Sequence, residues 1–471
     1  MPVLIISLLK KWHAVCLPIC IMELKQITQQ PFRKLLLLIF LFYMGEAKGQ
    51  EPWTVEDCMH YAVEQNLRLK NSRLDTRIAR EDFTAAVGDF LPSVEAVGAL
   101  GRRMGRSIDP ETNLYTSSAF LESTLGLNIS LPVFYGFTRV NRLQFRKLNK
   151  QIYGLSEKVE ENRVAFEVMD AFYTLSFQEK IYELAIEQRK LSERYKEQML
   201  EFVDLGMRSP SDLQEVNARL QSDIYQETVK ANSTRLSLLA LKELLNMTAD
   251  DTLVITNEEQ PEQNPILPLS SNELYAVSES VLPEFQAMEL KEKASRKSLA
   301  IASGAFSPSI RAEFSLNSGY YGTMKDDSGG ILPFNRQMEN NLKKYIGLSV
   351  SFPLFSGFSR WTQVRKERFR LRQVRNENEQ QRLALYKEID EAYISLQAAA
   401  DENRQALEQL RAATITLKEN EEKWEEGMIS VFELMEKRNL YISAKAELIR
   451  TRLQYDLKQR TVRFYQTGTF L

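Results

Sequence analysis

Two stretches of the chain alternate between apolar and small polar residues with a period of two, which is typical of β-strands. In the first stretch the apolar positions are Leu125, Leu127, Ile129 and Leu131. In the second stretch they are Ile346, Leu348, Val350 and Phe352. Shorter alternating stretches precede both. We therefore predict four strands, over residues 93–102, 120–133, 309–318 and 345–354.

Long helical patterns follow the second and fourth strands. Residues 137–203 and 358–424 contain no proline or turn cluster, so each predicts one helix on the order of 100 Å long. After a glycine-centred turn, apolar spacings of three and four predict returning helices over 211–246 and 431–464. The last helix has two apolar stripes, which indicates packing on two sides, as in a ring of helices.

The same order of elements occurs twice in the chain. The segment 131–139 returns as 352–360, so that Pro132 in the first copy corresponds to Pro353 in the second. The helix turns at Gly206 and Gly427 are separated by the same length of chain as these two prolines. Because self-similarity at a fixed period marks repeated architecture, we interpret the chain as one structural unit built twice.

The repeat also sets the predicted domain bounds. Residues 50–248 form the first repeat, 249–271 a linker and 272–471 the second repeat. Each repeat begins with two shorter helices, predicted over 55–65, 68–88, 272–281 and 284–303. The prolines that end these helices, Pro92 and Pro308, are closer together in the chain than Pro132 and Pro353. The second loop between strands is therefore predicted to be about five residues longer than the first.

The first 49 residues have the features of a secretory signal. Basic residues precede an apolar run over 35–44, and small residues follow it, so we expect cleavage before Gln50. Residues 1–21 are expected to be an extension upstream of the signal. The segment before Cys20 fits a lipoprotein cleavage box poorly, so we expect no lipid anchor. Cleavage would leave Cys58 as the only cysteine and exclude an intrachain disulfide.

Composition excludes several functions. Glycine (19) and proline (15) are scarce, which fits long helices, and the net charge of −2 predicts no nucleic-acid partner. His60 and Cys58 are the only soft ligands after the signal, too few for a typical zinc site. There is no phosphate-binding loop and no nucleophile elbow. We predict no enzyme, no metal site and no cofactor.

Strands with one apolar and one small polar face fit either a soluble sandwich or an outer membrane barrel. Three features favour the barrel: an exported chain, strands long enough to cross a bilayer, and aromatic residues at the strand ends. Those residues are Phe90, Phe134, Tyr135, Phe306, Phe352, Phe355 and Phe358 at one end, and Tyr320, Tyr321 and Tyr345 at the other. Four strands cannot close a barrel, because strands in a bilayer leave no edge unpaired. Two chains would give eight strands and three would give twelve, so a water-filled pore favours a homotrimer.

The chain resembles the outer membrane efflux protein family, the TolC-like channel-tunnels. The resemblance rests on the doubled order of L-P-x-F-x-G and F-P-x-F-x-G segments, F-x-P-S segments and glycine-centred helix tips. It implies an α+β membrane protein with two repeats, each two β-strands plus a long α-helical coiled-coil hairpin. A homotrimer would form a 12-stranded β-barrel in the outer membrane of a Gram-negative bacterium, on a long periplasmic α-helical barrel.

The resemblance also implies a function and partners. The channel would be a passive exit duct for small toxic molecules or for a secreted protein. An inner-membrane pump of the RND or ABC type would deliver them through a periplasmic adaptor protein. Outer membrane lipid would surround the barrel. The alternative is that the chain is itself a periplasmic adaptor, which would have one hairpin and a lipoyl-like β-domain.

Residue roles follow from the resemblance, each with a plainer alternative. Glu433 and Glu436, together with Asp212, match the acidic periplasmic gate; alternatively the glutamates are solvated on a helix face. Relatives lock this gate with a tyrosine and an arginine that reach an aspartate. The matching residues are Trp424, Ile429 and Asp212, and neither of the first two can make an ionic link. Arg208 is a substitute for the lock, or faces solvent or an adaptor.

Two further sets of residues are expected at the ends of the long helices. The tips that would dock the adaptor are Leu205, Gly206, Met207, Glu426, Gly427 and Met428. The collar where strand gives way to helix comprises Pro132, Phe134, Gly136, Pro353, Phe355 and Gly357. Arg102, Arg103 and Arg106 lie in the first outer loop, where they contact lipopolysaccharide phosphates or solvent.

Overall fold

A computed structural model describes residues 52–108, 113–117, 119–256 and 270–470. The predicted signal and most of the predicted linker lie outside these residues. The first repeat contains α1 Val55–Gln65, α2 Leu67–Gly88, β1 Ser93–Arg103, β2 Arg106–Ile108, β3 Tyr115–Ser117, β4 Phe120–Tyr135, α3 Thr138–Asp204 and α4 Pro210–Leu244. The second contains α5 Ser271–Val281, α6 Pro283–Gly304, β5 Ser309–Tyr321, α7 Phe334–Asn340, β6 Lys343–Ser351, α8 Ser359–Glu425 and α9 Val431–Thr467.

The four long strands form one antiparallel sheet in the order β1-β4-β5-β6. The four predicted strands are confirmed, and they pair antiparallel. The predicted long helical hairpins are confirmed as well. The sheet is open, because β1 and β6 each pair on one side only. Both central strands are therefore flanked on both sides, and the two edge strands come from different repeats.

Two outer loops contain structure that the sequence pattern did not predict. In the first, β2 and β3 form a small hairpin in which the Arg106 guanidinium lies 4.6 Å from the Tyr115 ring centroid. In the second, α7 is held by the buried side chain of Gln337, which donates to the Tyr321 carbonyl at 3.1 Å and accepts from its N–H at 2.9 Å. Elements of three to seven residues are too short to give a periodic signal.

The register of the sheet separates an apolar face from a polar face. Directly opposed residues share a face, so each row of partners can be followed across all four strands. One row is Val94, Ile129, Phe314 and Ile346, and the next position along gives Glu95, Asn128, Ser315 and Tyr345. The apolar face is strongly exposed in the single chain, and Ile346 has 84% of its surface accessible.

The long helices form two hairpins, α3 with α4 and α8 with α9. Near the sheet, α2, α3, α6 and α8 lie side by side, with α3 contacting both α2 and α6, and α6 contacting both α3 and α8. The two end helices of this row are thus α2 and α8. Among the helices of the described residues, none has an apolar stretch long enough to cross a bilayer.

The midpoints of the hairpins are held by the short helices α1 and α5, which pack against α3, α8 and α9. Arg460 of α9 donates to the Glu56 carboxylate at 2.7 Å and to the Tyr173 hydroxyl at 2.8 Å, which ties the second repeat to the first. Cys58 is buried in α1, and burial raises the pKa of its thiol to about 12. A thiol held neutral in this way is a packing residue.

Candidate functional site: the hairpin tips

Both hairpin tips turn through a glycine with a left-handed backbone. The φ angle is +72° at Gly206 and +76° at Gly427, values that residues with a Cβ rarely adopt. In each turn the next residue bonds back into the helix: the Met207 N–H donates to the Phe202 carbonyl, and the Met428 N–H to the Lys423 carbonyl, both at 2.8 Å. The two tips therefore share one backbone design.

Each returning helix begins with a reciprocal capping box. Ser209 and Asp212 exchange hydrogen bonds at the start of α4, and Ser430 and Glu433 do so at the start of α9. Asp212 and Glu433, both predicted gate residues, thus also satisfy helix N–H groups. Glu436 lies one turn further along α9, exposed, with the Lys437 ammonium 3.2 Å from its carboxylate.

The exposed part of the tips is apolar. Most of the side chain is accessible in Leu205 and Met207 of the first tip and in Met428 of the second. Phe432, in the first turn of α9, is similarly exposed. Glu426 precedes the second glycine and is also exposed. The exposed ends of both tips are therefore largely apolar.

Trp424 is the largest fully buried side chain among the described residues, and it joins the two hairpins. Its ring makes edge contacts with Tyr195 and Phe202 of α3, with centroids 5.5 and 5.6 Å apart. The Tyr195 hydroxyl donates to the Glu421 carboxylate at 2.5 Å. Burial raises the pKa of the Tyr195 phenol, and the Glu421 carboxylate adds to that effect. Trp424 therefore replaces an ionic link with a packed aromatic cluster.

Arg208 connects the tips directly. Its guanidinium donates to the Ile429 carbonyl at 3.0 Å, so the arginine of one tip bonds the backbone of the other. The Ile429 side chain packs against the aromatic cluster around Trp424. Asp212 stays in its own capping box, so Trp424, Ile429 and Asp212 form no linked set.

A buried ion pair between α9 and α4 lies further along the hairpins than the tips. The fully buried Arg438 of α9 donates to the Asp223 carboxylate of α4 at 2.9 Å. It also donates to the Ser192 hydroxyl and to the Gln188 carbonyl of α3, both at 2.6 Å. Burial lowers the pKa of Arg438, while the Asp223 carboxylate raises it. One side chain of the second repeat thus holds both helices of the first hairpin.

Sequence reasoning missed this pair, although a signal was available. Leu434, Arg438 and Tyr441 have the spacing of one helix face, and the leucine and tyrosine belong to an apolar stripe. An arginine on a buried stripe requires a carboxylate partner, because an unpaired buried charge is very costly. The partner itself could not be found without knowing which helices meet.

The predicted collar and loop residues occupy the two ends of the sheet. A bulge between Pro132 and Phe134 ends the regular register of β4, and Gly136 and Gly357 both have left-handed backbones. Pro353 and Phe355 follow the end of β6; the proline is half-buried and the phenylalanine is exposed. Arg103 forms a two-bond ion pair with Glu122, while Arg102 is exposed at the end of β1. In the described part of the chain, no cluster of His, Cys, Asp or Glu could hold a metal ion.

Comparisons with known proteins agree with this architecture. Residues 279–466 match the model of the family described as outer membrane efflux protein. The matched residues lie within the second repeat. The family consists of outer membrane channels for efflux, which are transporters without enzymatic activity and whose helices extend into the periplasm. No curated protein matches the chain by sequence.

Solved structures of bacterial outer membrane proteins have the same fold. The outer membrane protein VceC of Vibrio cholerae is 12% identical, over 88% of this chain and 97% of that chain, with a TM-score of 0.76. The Campylobacter jejuni CmeC outer membrane channel is 15% identical, over 88% and 85%, with a TM-score of 0.76. The open state of the Neisseria gonorrhoeae MtrE outer membrane channel is 16% identical, over 88% and 89%, with a TM-score of 0.66. The chain therefore shares the fold of these proteins at low sequence identity.

Proposed function

We propose that this chain is an outer membrane efflux protein and that three copies form one channel, in which twelve strands close a barrel and the helical hairpins form a periplasmic tunnel. An inner-membrane pump would deliver small toxic molecules through an adaptor that docks at the tips. The observation that carries the proposal is an open four-stranded sheet with one exposed apolar face and two free edges. Unpaired strand edges are not tolerated in a bilayer, so other copies must pair with them.

A comparison of the two collars, which are equivalent in the internal repeat, supports this assembly. A Cβ at Gly136 would lie 2.3 Å from the Gly304 carbonyl oxygen, so the first collar fits closely against the end of α6. In the other repeat, Gly357 occupies the position equivalent to Gly136, and Gly88 the position equivalent to Gly304. A Cβ at Gly357 or at Gly88 would meet nothing within 4 Å. We infer that Gly357 of one copy packs against Gly88 of the next.

Replacing Gly88 by leucine tests this contact. In a single chain the leucine would enter open space, so the fold tolerates it, whereas between copies it would clash with the backbone at Gly357. We expect loss of the heat-sensitive trimer band on gels of outer membrane extracts. Gly154→Leu is the matched control, because a Cβ at this helical glycine of α3 also meets nothing within 4 Å. Equal trimer yields for both variants would contradict the assembly.

The exposed apolar face offers an independent test of its membrane setting. Ile346→Arg would be nearly neutral on a face in water, but in lipid it costs about 2–4 kcal/mol near the bilayer centre. We expect much less assembled protein in the outer membrane. Ser349→Arg, on the opposite face of the same strand, would face the pore and should assemble normally while changing single-channel conductance. Normal assembly of Ile346→Arg would contradict the barrel.

We further propose that the tips dock the adaptor and that Glu433 and Glu436 form an acidic ring at the channel entrance. Support comes from the exposed apolar tips and from the position of both glutamates just after the second tip. Gly206→Val or Gly427→Val would strain a left-handed turn by about 1–2 kcal/mol and reshape the docking surface. We expect loss of efflux, measured as dye accumulation in cells, with trimers still formed. Loss of trimers would contradict the docking role.

A further inference from the structure

The end of α8 next to the sheet has a high density of positive charge. Seven of the residues in the segment 359–375 are basic, against a single carboxylate, Glu367. Two of the seven are paired: Arg370 with Glu367, and Arg375 with Glu292 at 2.9 Å. The other five have no ion pair within the described residues; they are Arg360, Arg365, Lys366, Arg368 and Arg372. This segment therefore has unused capacity for an anionic partner.

Two of these arginines line a cleft between the ends of α6 and α8. The cleft has a volume of about 350 Å³, and its lining residues are Ser303, Phe306, Trp361, Val364, Arg365 and Arg368. The Arg365 guanidinium carbon lies 4.7 Å from the Trp361 ring centroid. The cleft thus combines two exposed cations with exposed aromatic surface.

The cleft continues from the apolar side of the sheet. Trp361, Arg365 and Arg368 follow one another at spacings of four and three, so they form one stripe on α8. Phe358 immediately precedes the helix as its N-cap residue. The Phe355 ring contacts the Phe358 ring at the top of this stripe, with centroids 5.8 Å apart.

The first repeat shows which face of the sheet adjoins the contact between the Phe355 and Phe358 rings. Phe134 is the counterpart of Phe355 and lies opposite Ile310, whose side chain belongs to the apolar face. The apolar surface around the second collar is also highly accessible, and Leu354 has 94% of its surface exposed. The arginine stripe therefore begins where an apolar, lipid-facing surface ends.

Counterparts in the first repeat show that a neighbouring copy would leave the cleft open. The residues equivalent to Trp361, Arg365 and Arg368 are Val140, Gln144 and Lys147. All three are exposed even though α3 is flanked by α2 on one side and by α6 on the other. A second copy that packs its α2 against α8, as α6 packs against α3, would therefore not cover the stripe. The tryptophan and the arginines are also specific to the second repeat.

We propose that this cleft binds the headgroup of an anionic phospholipid in the periplasmic leaflet of the outer membrane. Arg365 and Arg368 would donate hydrogen bonds to the phosphate oxygens, and Phe306 and Trp361 would contact the adjoining glycerol and acyl chain. Basic residues next to a membrane surface attract anionic lipid in this way. The proposal rests on the proposed function, since it requires the sheet to lie in the membrane. It predicts one lipid site per chain, three per trimer.

Native mass spectrometry of the full-length trimer in a mild detergent tests the site. The probes are phosphatidylglycerol and, for comparison, phosphatidylcholine, each titrated onto wild type and onto Arg365→Gln/Arg368→Gln. Removal of two basic residues should weaken phosphatidylglycerol binding about thirtyfold and leave phosphatidylcholine binding unchanged. The matched control is Arg77→Gln/Arg80→Gln on α2, which removes the same charge at the same spacing from two exposed arginines that form no ion pair within the described chain.

The outcomes separate this site from the proposed function. Selective loss of phosphatidylglycerol in the α8 variant alone supports the site. Equal binding by the α8 variant and wild type, both trimeric, overturns the site while leaving the channel intact. Dissociation of the α8 variant into monomers also overturns it, because the arginines would then be a contact between copies. Failure of wild type to form membrane trimers contradicts the proposed function itself.

Discussion

The two hairpin tips have nearly the same backbone and quite different side chains. Both turn through a left-handed glycine and both restart in a capping box. The differences are concentrated at positions where one hairpin touches the other: Val203 corresponds to Trp424, Arg208 to Ile429, and Asn217 to Arg438. The glycines and capping residues are needed to make a turn, whereas the contacts between hairpins need unlike partners. The repeat has therefore diverged where its two halves meet.

Among the positions at which the two tips differ, substitution in the cluster around Trp424 should reduce the free energy of unfolding most. Trp424→Val makes the second tip match the first and leaves a cavity beneath Tyr195 and Phe202. We expect a loss of about 3–4 kcal/mol in the free energy of unfolding, measured by urea denaturation in detergent. Phe432→Val is the control, because its ring is exposed at the same tip and should cost well under about 1 kcal/mol. Equal losses would mean that the cluster does not join the hairpins.

The second-largest effect on stability is expected at the buried ion pair of Arg438 and Asp223. Arg438→Met leaves the Asp223 carboxylate buried, and removal of one partner of such a pair costs about 3–5 kcal/mol. We expect the lower end of that range, because the Arg219 guanidinium remains 3.4 Å from Asp223. Arg438→Met should therefore unfold at a lower urea concentration. Cells should also take up more of a large antibiotic, which reports a leaking gate.

A second ion pair, between α9 and the other helix of the first hairpin, serves as the control. Lys445 of α9 bonds Glu187 of α3 at 2.5 Å, but the glutamate is largely exposed. Lys445→Met should cost less than about 1 kcal/mol, since water screens an exposed pair. The double variant Arg438→Met/Asp223→Leu should recover most of the loss, because it removes the orphaned charge as well. A double variant as unstable as the single one would show that the arginine acts through packing alone.

The parts of the molecule that could be predicted from sequence are those in which a regular hydrophobic pattern extends over many residues. The four strands and the long helices have strong periodic signals. The internal repeat also shows that these elements occur in the same order in both halves of the chain. The short hairpin of β2 and β3, and helix α7, gave no such signal, because a buried Gln337 rather than a pattern holds α7 in place. At the tips, the glycines were visible in the sequence, whereas the partners of Arg438 and Arg208 depend on which helices lie together.

The smallest effect is expected at Arg208, which nonetheless tests most directly whether the two tips are coupled. Its guanidinium makes a partly buried hydrogen bond to a backbone carbonyl, so Arg208→Ile should cost about 1 kcal/mol. This loss of stability is small beside those expected at Trp424 and Arg438, yet the first tip would lose its side-chain hydrogen bond to the opposite turn. We therefore expect a larger fraction of open time in planar bilayer recordings. Arg208→Lys keeps a donor and a charge and should lie between the isoleucine variant and wild type. Identical open times for all three would mean that the aromatic cluster and the buried ion pair alone hold the tips, and that Arg208 and Ile429 differ without consequence for gating.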